Sequence, residues 1–395
     1  MCDHNDRYNL ISSVFRQRFT VEPTFLVRAP GRVDLMGSHT DYNLGHVLTM
    51  AISRDVWIAG RPRLNHTVRV YSIGLESEQS FDLRSLTPGV RTGWGDYVRG
   101  VAAMLASEGL QLGGFDAVIH STVPIGSGLS SSAALECATA MAFQFTGGWK
   151  VEPARMARLC QRAEHEWAGV NCGILDQYTS CFGQADSVLV LDCRTVTHSC
   201  WSISPGLEVF ICDTRSKREL VVSEYSSRRA QCEEGARQLG VPALCDVTLQ
   251  DLMKHEKTMP AEVFRRCRFI LEEDARVRPM AAALSSGDEG GIGNLCKESF
   301  RGACDLYEIG APSMHAMMDA MIGAPGVVGA RQAGAGFGGC MVAIVRREQA
   351  QEFAESTRSR YLATTGIQPD VYAVRGAGGA CVVDQFTKEG THDVG

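Results

Sequence analysis

One stretch constrains this chain more than any other: Pro124-Ile-Gly-Ser-Gly-Leu-Ser-Ser-Ser-Ala-Ala134, set between an apolar run, Phe115–His120, and the alanine-rich stretch Leu135–Phe145. The apolar run reads as a strand and the alanine-rich stretch as a helix. Gly126 and Gly128 let backbone approach a ligand closely, and Ser130, Ser131 and Ser132 add hydroxyl donors at a helix N-terminus. Free N–H groups and the helix dipole make such a terminus an anion site. A serine-capped helix after a glycine turn has the same local pattern. No Gly-Lys-Ser/Thr follows, so the loop is not a Walker A motif.

A second glycine-rich segment, Gly334-Ala-Gly-Phe-Gly-Gly339, matches G-x-G-x-x-G in form. A dinucleotide fingerprint follows a strand and opens a helix. Here Cys340–Val345 reads as a strand, which excludes that use and suggests a loop packed against the first one. The third segment, Gly31 to Asn43, is turn-rich and places Arg32, His39 and Asp41 close together. Carboxylates and imidazoles of this kind bind sugar hydroxyls.

The rest of the chain sets limits. Its 395 residues suffice for two domains, and a net charge of -6 argues against a general nucleic-acid binder. Fifteen cysteines without a C-x-x-C pair read as reduced, partly buried thiols of a cytoplasmic protein. The N-terminus lacks a signal-peptide pattern, and no apolar run approaches the ~20 residues that span a bilayer. The pattern predicts a helix within residues 1–24 and a strand over Phe25–Pro30. Further strands are predicted over 47–60, 68–71, 187–191, 207–212, 341–345 and 371–374, and helices over 97–107, 153–167, 172–183, 223–239, 261–280 and 292–306. Ser285–Gly291 reads as a flexible loop. The mixture implies an α+β chain with two sheets and a domain boundary near Ser202–Gly206.

Taken together, the three segments resemble the motifs of the GHMP kinases, and of their galactokinase branch in particular. Gly31–Asn43 is similar to the branch signature G-R-V-N-L-I-G-E-H-T-D-Y-N, Gly126–Ser132 to the phosphate loop G-x-G-L-S-S-S, and Gly334–Gly339 to the third motif. Ala163-Glu-His165, Cys172–Gln177, Leu191–Arg194, Ser223–Arg229 and Gly378–Cys381 also resemble the branch. The resemblance implies an N-terminal α/β domain of ribosomal S5-like fold (1–205) and a C-terminal ferredoxin-like domain (206–395), with the site between them. It implies ATP-dependent phosphorylation of a galactose-like sugar at its anomeric hydroxyl by a cytoplasmic monomer. Asp176 would be the catalytic aspartate and Arg32 its partner. Ser132 and Glu164 would bind Mg²⁺. Ser38, His39, Thr40, Asp41, Gly173 and Tyr225 would contact the sugar. Gly126, Ser127, Gly128, Leu129, Ser130, Ser131 and Ser132 would hold the ATP phosphates.

The chain departs from the signature at several positions. Asp34 stands for asparagine, Met36 for isoleucine and Ser38 for the glutamate that contacts the sugar C6 hydroxyl in the family. A serine there weakens the C6 contact and removes a carboxylate that rejects acidic sugars. L-Arabinose and galacturonate are therefore alternative substrates. A sugar- and ATP-binding sensor without turnover is a third reading, against which stand Arg32, Asp176, Glu164 and Ser132 together.

Overall fold

The computed structural model describes residues 4–88, 93–216 and 221–384. Its first half runs α1 (His4–Phe19), β1 (Phe25–Met36), β2 (His46–Pro62), β3 (Thr67–Ser72), β4 (Ser77–Asp82), α2 (Gly95–Ser107), β5 (Phe115–Ser121), α3 (Ser131–Gly147), α4 (Pro153–Ala163), α5 (Leu175–Phe182), β6 (Ser187–Asp192) and β7 (Thr197–Ser202). The second half continues with β8 (Leu207–Asp213), α6 (Val221–Leu239), α7 (Leu249–Met253), α8 (Ala261–Ser286), α9 (Glu289–Asp305), α10 (Pro312–Ile322), β9 (Val327–Gln332), β10 (Cys340–Arg346), α11 (Ala350–Thr365), β11 (Asp370–Val374) and β12 (Cys381–Asp384).

Among the described residues the strands form two sheets. The first has the order β12-β1-β2-β5-β3-β4, with β6 on β2 and β7 on β6. Successive side chains of a strand point to opposite faces, and β1, β2 and β5 use both. Val27, Ile58 and Ala117 join the main core under α2 and α3, whereas Leu26, Trp57 and Val118 pack with Ile11 and Phe15 of α1. The second sheet is antiparallel, in the order β11-β8-β10-β9. That is the 4-1-3-2 order of a ferredoxin-like domain. Val209 and Val342 face the main core, while Phe210 and Met341 face α10 and α11. Val277, Met280 and Ala281 of α8 belong to the same main core, so one apolar interior runs through both sheets. The last strand, β12, pairs with β1, returning the end of the chain to the first sheet.

Three local expectations change. β1 does not stop at Pro30 but continues to Met36, paired with β2. Proline removes one donor, and the chain tolerates it because the register skips there: Pro30 faces Asp55 and Arg32 faces Ala51. Arg32 and Asp34 therefore stand on a strand and not in a turn. Ser285–Gly291 is a pair of helix ends instead of a flexible loop. Gly287 closes α8 in the left-handed conformation, and the Asp288 side chain caps α9 by accepting from Gly291 N–H at 3.0 Å. The helix predicted over 153–167 changes character at Glu164, where Glu164–Ala168 forms one π-helical turn. Such turns are rare and recur at functional sites.

Candidate active site

The phosphate-loop segment connects β5 to α3 by a path of alternating backbone hand. Gly126, Gly128 and Ser130 all have positive φ, at 72°, 88° and 58°. Glycine adopts this conformation freely, but a serine does so only where its surroundings hold it. Alternation of this kind turns backbone N–H groups inward into an anion-binding concavity. No side chain caps α3, so its first-turn N–H groups are unclaimed by a cap. The Gly334–Gly339 loop joins the antiparallel strands β9 and β10 and closes over this concavity. Cys340 N–H donates to the Ser127 carbonyl at 3.3 Å, and a Cβ on Gly334 would meet the Gly128 carbonyl.

Arg32 on β1 reaches both the loop and α5. Its Nη1–H donates to the Gly128 carbonyl at 2.7 Å and its Nε–H to Asp176 Oδ1 at 2.7 Å. Asp176 lies in the first turn of α5, where the helix dipole favours an anion. Its other oxygen, Oδ2, accepts from the Ser130 hydroxyl. Two adjoining cavities meet at this ion pair. One, of about 710 Å³, is lined by the loop residues Gly126, Gly128 and Ser130–Ser132 and by the apolar side chains of Val56, Leu75, Trp94, Ile119, Ile125 and Leu135. The other, of about 230 Å³, is lined by Asp34, His39, Asp41, Glu164, Cys172, Gly173 and Tyr225. Arg32, Asp176, Gly334 and Ala335 belong to both. A groove of about 850 Å³ beside α8 and α9 is larger, but arginines there pair with neighbouring carboxylates, as Arg268 does with Glu272 at 2.7 Å.

The smaller cavity is polar and tightly built. Gly173 abuts Asp41 so closely that a Cβ at 173 would overlap Asp41 Oδ2. Burial, reinforced by the Asp176 charge, pushes the Asp41 carboxyl up to about 6. Burial pulls His39 down to about 4, so its imidazole is neutral at physiological pH. Its tautomer follows from its partners: Nε2–H donates to the Ala335 carbonyl at 3.0 Å, and Nδ1 accepts from Tyr42 O–H at 2.8 Å. Tyr42 in turn accepts from Tyr307 O–H at 2.8 Å. Tyr225 lies against the His39 ring with centroids 5.3 Å apart.

Glu164 is buried, 5% exposed, and continues the buried face of α4. Its Oε2 accepts from Gln177 at 2.6 Å, and Ser132 also hydrogen-bonds the carboxylate. The same Gln177 amide donates to Glu136 Oε2 at 2.9 Å, and Glu136 Oε1 has no partner. Burial raises both carboxyls; the charge of Glu164 raises Glu136 further, and that of Asp176 raises Glu164. These are buried carboxyls with no cation among their direct partners. A hard divalent ion taking a carboxylate, a hydroxyl and phosphate oxygens fits them. Among the described residues no three His, Cys, Asp or Glu side chains gather as a ligand cluster.

The sequence-predicted residues thus fall into three groups. Arg32, His39, Asp41, Glu164, Gly173, Asp176 and Tyr225 line the smaller cavity, and Gly126, Gly128 and Ser130–Ser132 line the larger. The side chains of Ser38, Thr40, Ser127 and Leu129 point elsewhere. Thr40 donates to the Gly37 carbonyl at 2.7 Å and Ser127 to the Pro124 carbonyl at 2.9 Å, while Leu129 is fully buried. Ser38 is 2% exposed and donates to Asp34 Oδ2 at 2.6 Å. Asp34, Tyr42 and Gln177 are structural members of the site that sequence reading did not select. The i,i+2 spacing from Arg32 on a strand would have found Asp34.

Comparison with known proteins agrees with this geometry. The galactokinase galactose-binding signature matches residues 13–62, the GHMP kinases N terminal domain residues 96–184 and the GHMP kinases C terminal domain residues 280–363. A galactokinase of Chloroflexus aggregans is 39% identical over 379 residues, covering 94% of this chain and 97% of the relative. The chain belongs to the galactokinase family of GHMP kinases. The Homo sapiens galactokinase is 39% identical over 378 residues, covering 93% of this chain and 95% of that one. The crystal structure of Lactococcus lactis galactokinase complexed with galactose superposes with a TM-score of 0.89 at 27% identity, covering 94% of this chain and 98% of the other. The two-domain fold and the sugar-phosphotransferase class are those of the galactokinases. No helix among the described residues is long and apolar enough to cross a membrane.

Proposed function

We propose that this galactokinase-family chain transfers the γ-phosphoryl group of ATP to the anomeric hydroxyl of galactose, giving galactose 1-phosphate and ADP. One observation carries the reading: the Arg32–Asp176 pair sits where an anion-binding, apolar-walled cavity meets a small polar one. Adenine fits the wall of Val56, Trp94 and Ile119, and the phosphates fit the nest at Gly126–Ser132. Galactose fits the smaller cavity, with Asp41 accepting from its hydroxyls.

In this arrangement Asp176 accepts or orients the proton of the sugar O1, so that the oxygen attacks as its proton leaves. Arg32 holds Asp176 and offers positive charge to the transferring group. Ser130 fixes the second carboxylate oxygen, and His39 ties the sugar-binding turn to Ala335 of the closing loop. Glu164 and Ser132 would hold Mg²⁺, which when bound neutralises phosphate charge. We divide the chain between Ser202 and Leu207, with β12 returned to the first domain. The 14 free cysteines among the described residues support a reducing compartment, the cytoplasm.

The experiment is ADP release with Mg²⁺-ATP and galactose, L-arabinose, galacturonate or N-acetylgalactosamine, followed by NMR of the product. Galactose 1-phosphate is the expected product. Phosphate at O6, or sugar and ATP binding without any turnover, would overturn the reading.

A further inference from the structure

Asp176 lines both cavities, and both of its carboxylate oxygens accept a hydrogen bond. Oδ1 accepts from Arg32 Nε–H at 2.7 Å, and Oδ2 accepts from the Ser130 hydroxyl. The second donor is unusual for its position. Ser130 is the N-cap residue of α3, where a serine ordinarily turns its oxygen onto the first-turn N–H groups. Here it makes no such cap, and its φ of 58° is a left-handed conformation that a residue with a Cβ adopts only at a cost. The fold holds a strained serine in the phosphate loop and directs its hydroxyl to a carboxylate 46 residues further along the chain.

Ser130 also lines the larger cavity, beside Gly126, Gly128, Ser131 and Ser132. A phosphate oxygen seated in that loop accepts hydrogen bonds and offers none. A serine hydroxyl carries a single proton. Ser130 therefore cannot donate to Asp176 and to a phosphate oxygen at the same time. Arg32 faces no such conflict, because its guanidinium has five N–H donors and reaches the Gly128 carbonyl and Asp176 together. The consequence falls on the sugar side. With Oδ1 bound by Arg32, Oδ2 is the oxygen left for the proton of O1. A hydroxyl already donating to Oδ2 stabilises its charged form and makes it a weaker acceptor. A turn about the Cα–Cβ bond of Ser130 toward a phosphate removes that competition without moving the backbone.

We propose that Ser130 is a positioning residue that couples the two substrates: its hydroxyl occupies Asp176 Oδ2 until a nucleotide phosphate takes that donor, and Oδ2 then accepts the proton of the sugar O1. The proton balance of the transfer is unchanged. O1 gives its proton to Asp176 as its bond to the γ-phosphorus forms and the bond to the β-phosphate oxygen breaks. The inference deepens the galactokinase reading and rests on it, and the test separates the two.

Calorimetric titration of galactose into the full chain, with and without saturating Mg²⁺ and the non-hydrolysable ATP analogue AMPPNP, measures the coupling. Wild-type protein should bind galactose at least fivefold more tightly with the analogue present. Ser130→Gly should bring that ratio to within twofold of one, chiefly by tightening galactose binding in the absence of nucleotide. Glycine accepts the positive φ without strain, so the variant keeps its fold, which a thermal melt checks. Ser130→Ala keeps the strain and loses the hydroxyl, and it should lose the coupling equally. In an Asp176→Ala background, Ser130→Gly should change galactose affinity less than twofold, because the hydroxyl acts through that carboxylate. A wild-type ratio near one, a ratio of wild-type size in Ser130→Gly, a loss confined to the glycine variant, or a larger effect in the Asp176→Ala background would overturn the assignment. The galactokinase reading survives any of these so long as galactose is phosphorylated at O1. If wild-type protein neither binds nor phosphorylates galactose, that reading fails and this inference falls with it.

Discussion

Replacing Asp41 by asparagine should make the folded protein more stable while it weakens sugar binding. The carboxyl of Asp41 is raised from 3.8 to about 6, chiefly by burial and then by the charge of Asp176. Between those pH values the folded chain holds a proton that the unfolded chain has released. Stability therefore falls as pH rises through that window, and the whole cost is present above it. The interval is a little over two decades of proton affinity, worth about 1.4 kcal/mol each, so the cost approaches about 3 kcal/mol. Water entering through the cavity screens part of this, leaving about 1–2 kcal/mol as the expected gain in Asp41→Asn at pH 7.5. Asparagine keeps an oxygen for the Tyr42 N–H that Asp41 now accepts. Paired urea titrations of ligand-free protein from pH 4 to 7.5 measure the difference. The gain should shrink toward zero as pH nears 4. An equal difference at every pH, or a loss at pH 7.5, would refute the electrostatic account. The kinetic counterpart is an acid limb: kcat/KM for galactose in the wild type should fall as pH drops through about 6, because a protonated Asp41 no longer accepts two hydroxyls. Asp41→Asn should lower kcat/KM by about 10²-fold and remove that limb.

Three further outcomes follow from the same geometry. Asp176→Asn should reduce kcat by about 10³-fold or more with a melting temperature within a few degrees of wild type, and turnover within tenfold of wild type would remove Asp176 from proton handling. Gly173→Ala should raise KM for galactose at least tenfold and leave KM for ATP nearly unchanged, since the new Cβ overlaps Asp41 and not the phosphate loop. Glu164→Gln should raise the Mg²⁺ concentration for half-maximal rate about tenfold at fixed ATP, and an unchanged Mg²⁺ titration would show that Glu164 does not serve the ion.

The parts of the fold legible in the sequence are those whose signal is local. Apolar runs mark β2, β5, β8 and β10, and alanine-rich helical spacing marks α3. The polar strands β4 (Ser77–Asp82) and β7 (Thr197–Ser202) carry no such run, since neither buries a side chain in the core. Pro30 suggested a strand end, and only the register skip on β2 explains why the strand continues. Glu164 continues the buried face of Ala157, Cys160 and Ala163 at helical spacing, so its burial was legible in the periodicity and only its charge spoke for the surface. His39 was legible as a site residue, but its role was not, since its partners Ala335 and Tyr42 come from a loop 296 residues away and from the next turn.

Ser38 shows why a substitution read against a signature can mislead. Along the chain it looks like the loss of a carboxylate, and a weaker site for neutral sugars follows. In space its hydroxyl lies 2.6 Å from a carboxylate that the signature lacks, and both lean on Arg331, an arginine 293 residues away in sequence. Residue 38 therefore acts within a buried network of Asp34, Glu273 and Arg331, and not as a lone side chain facing the sugar. Serine at 38 and aspartate at 34, against glutamate and asparagine in the signature, exchange which of two hydrogen-bonded positions carries the carboxyl group. Such an exchange can preserve substrate class while defeating any residue-by-residue transfer of roles. Position 38 alone then carries little information about specificity, and positions 34, 38, 273 and 331 must be read together.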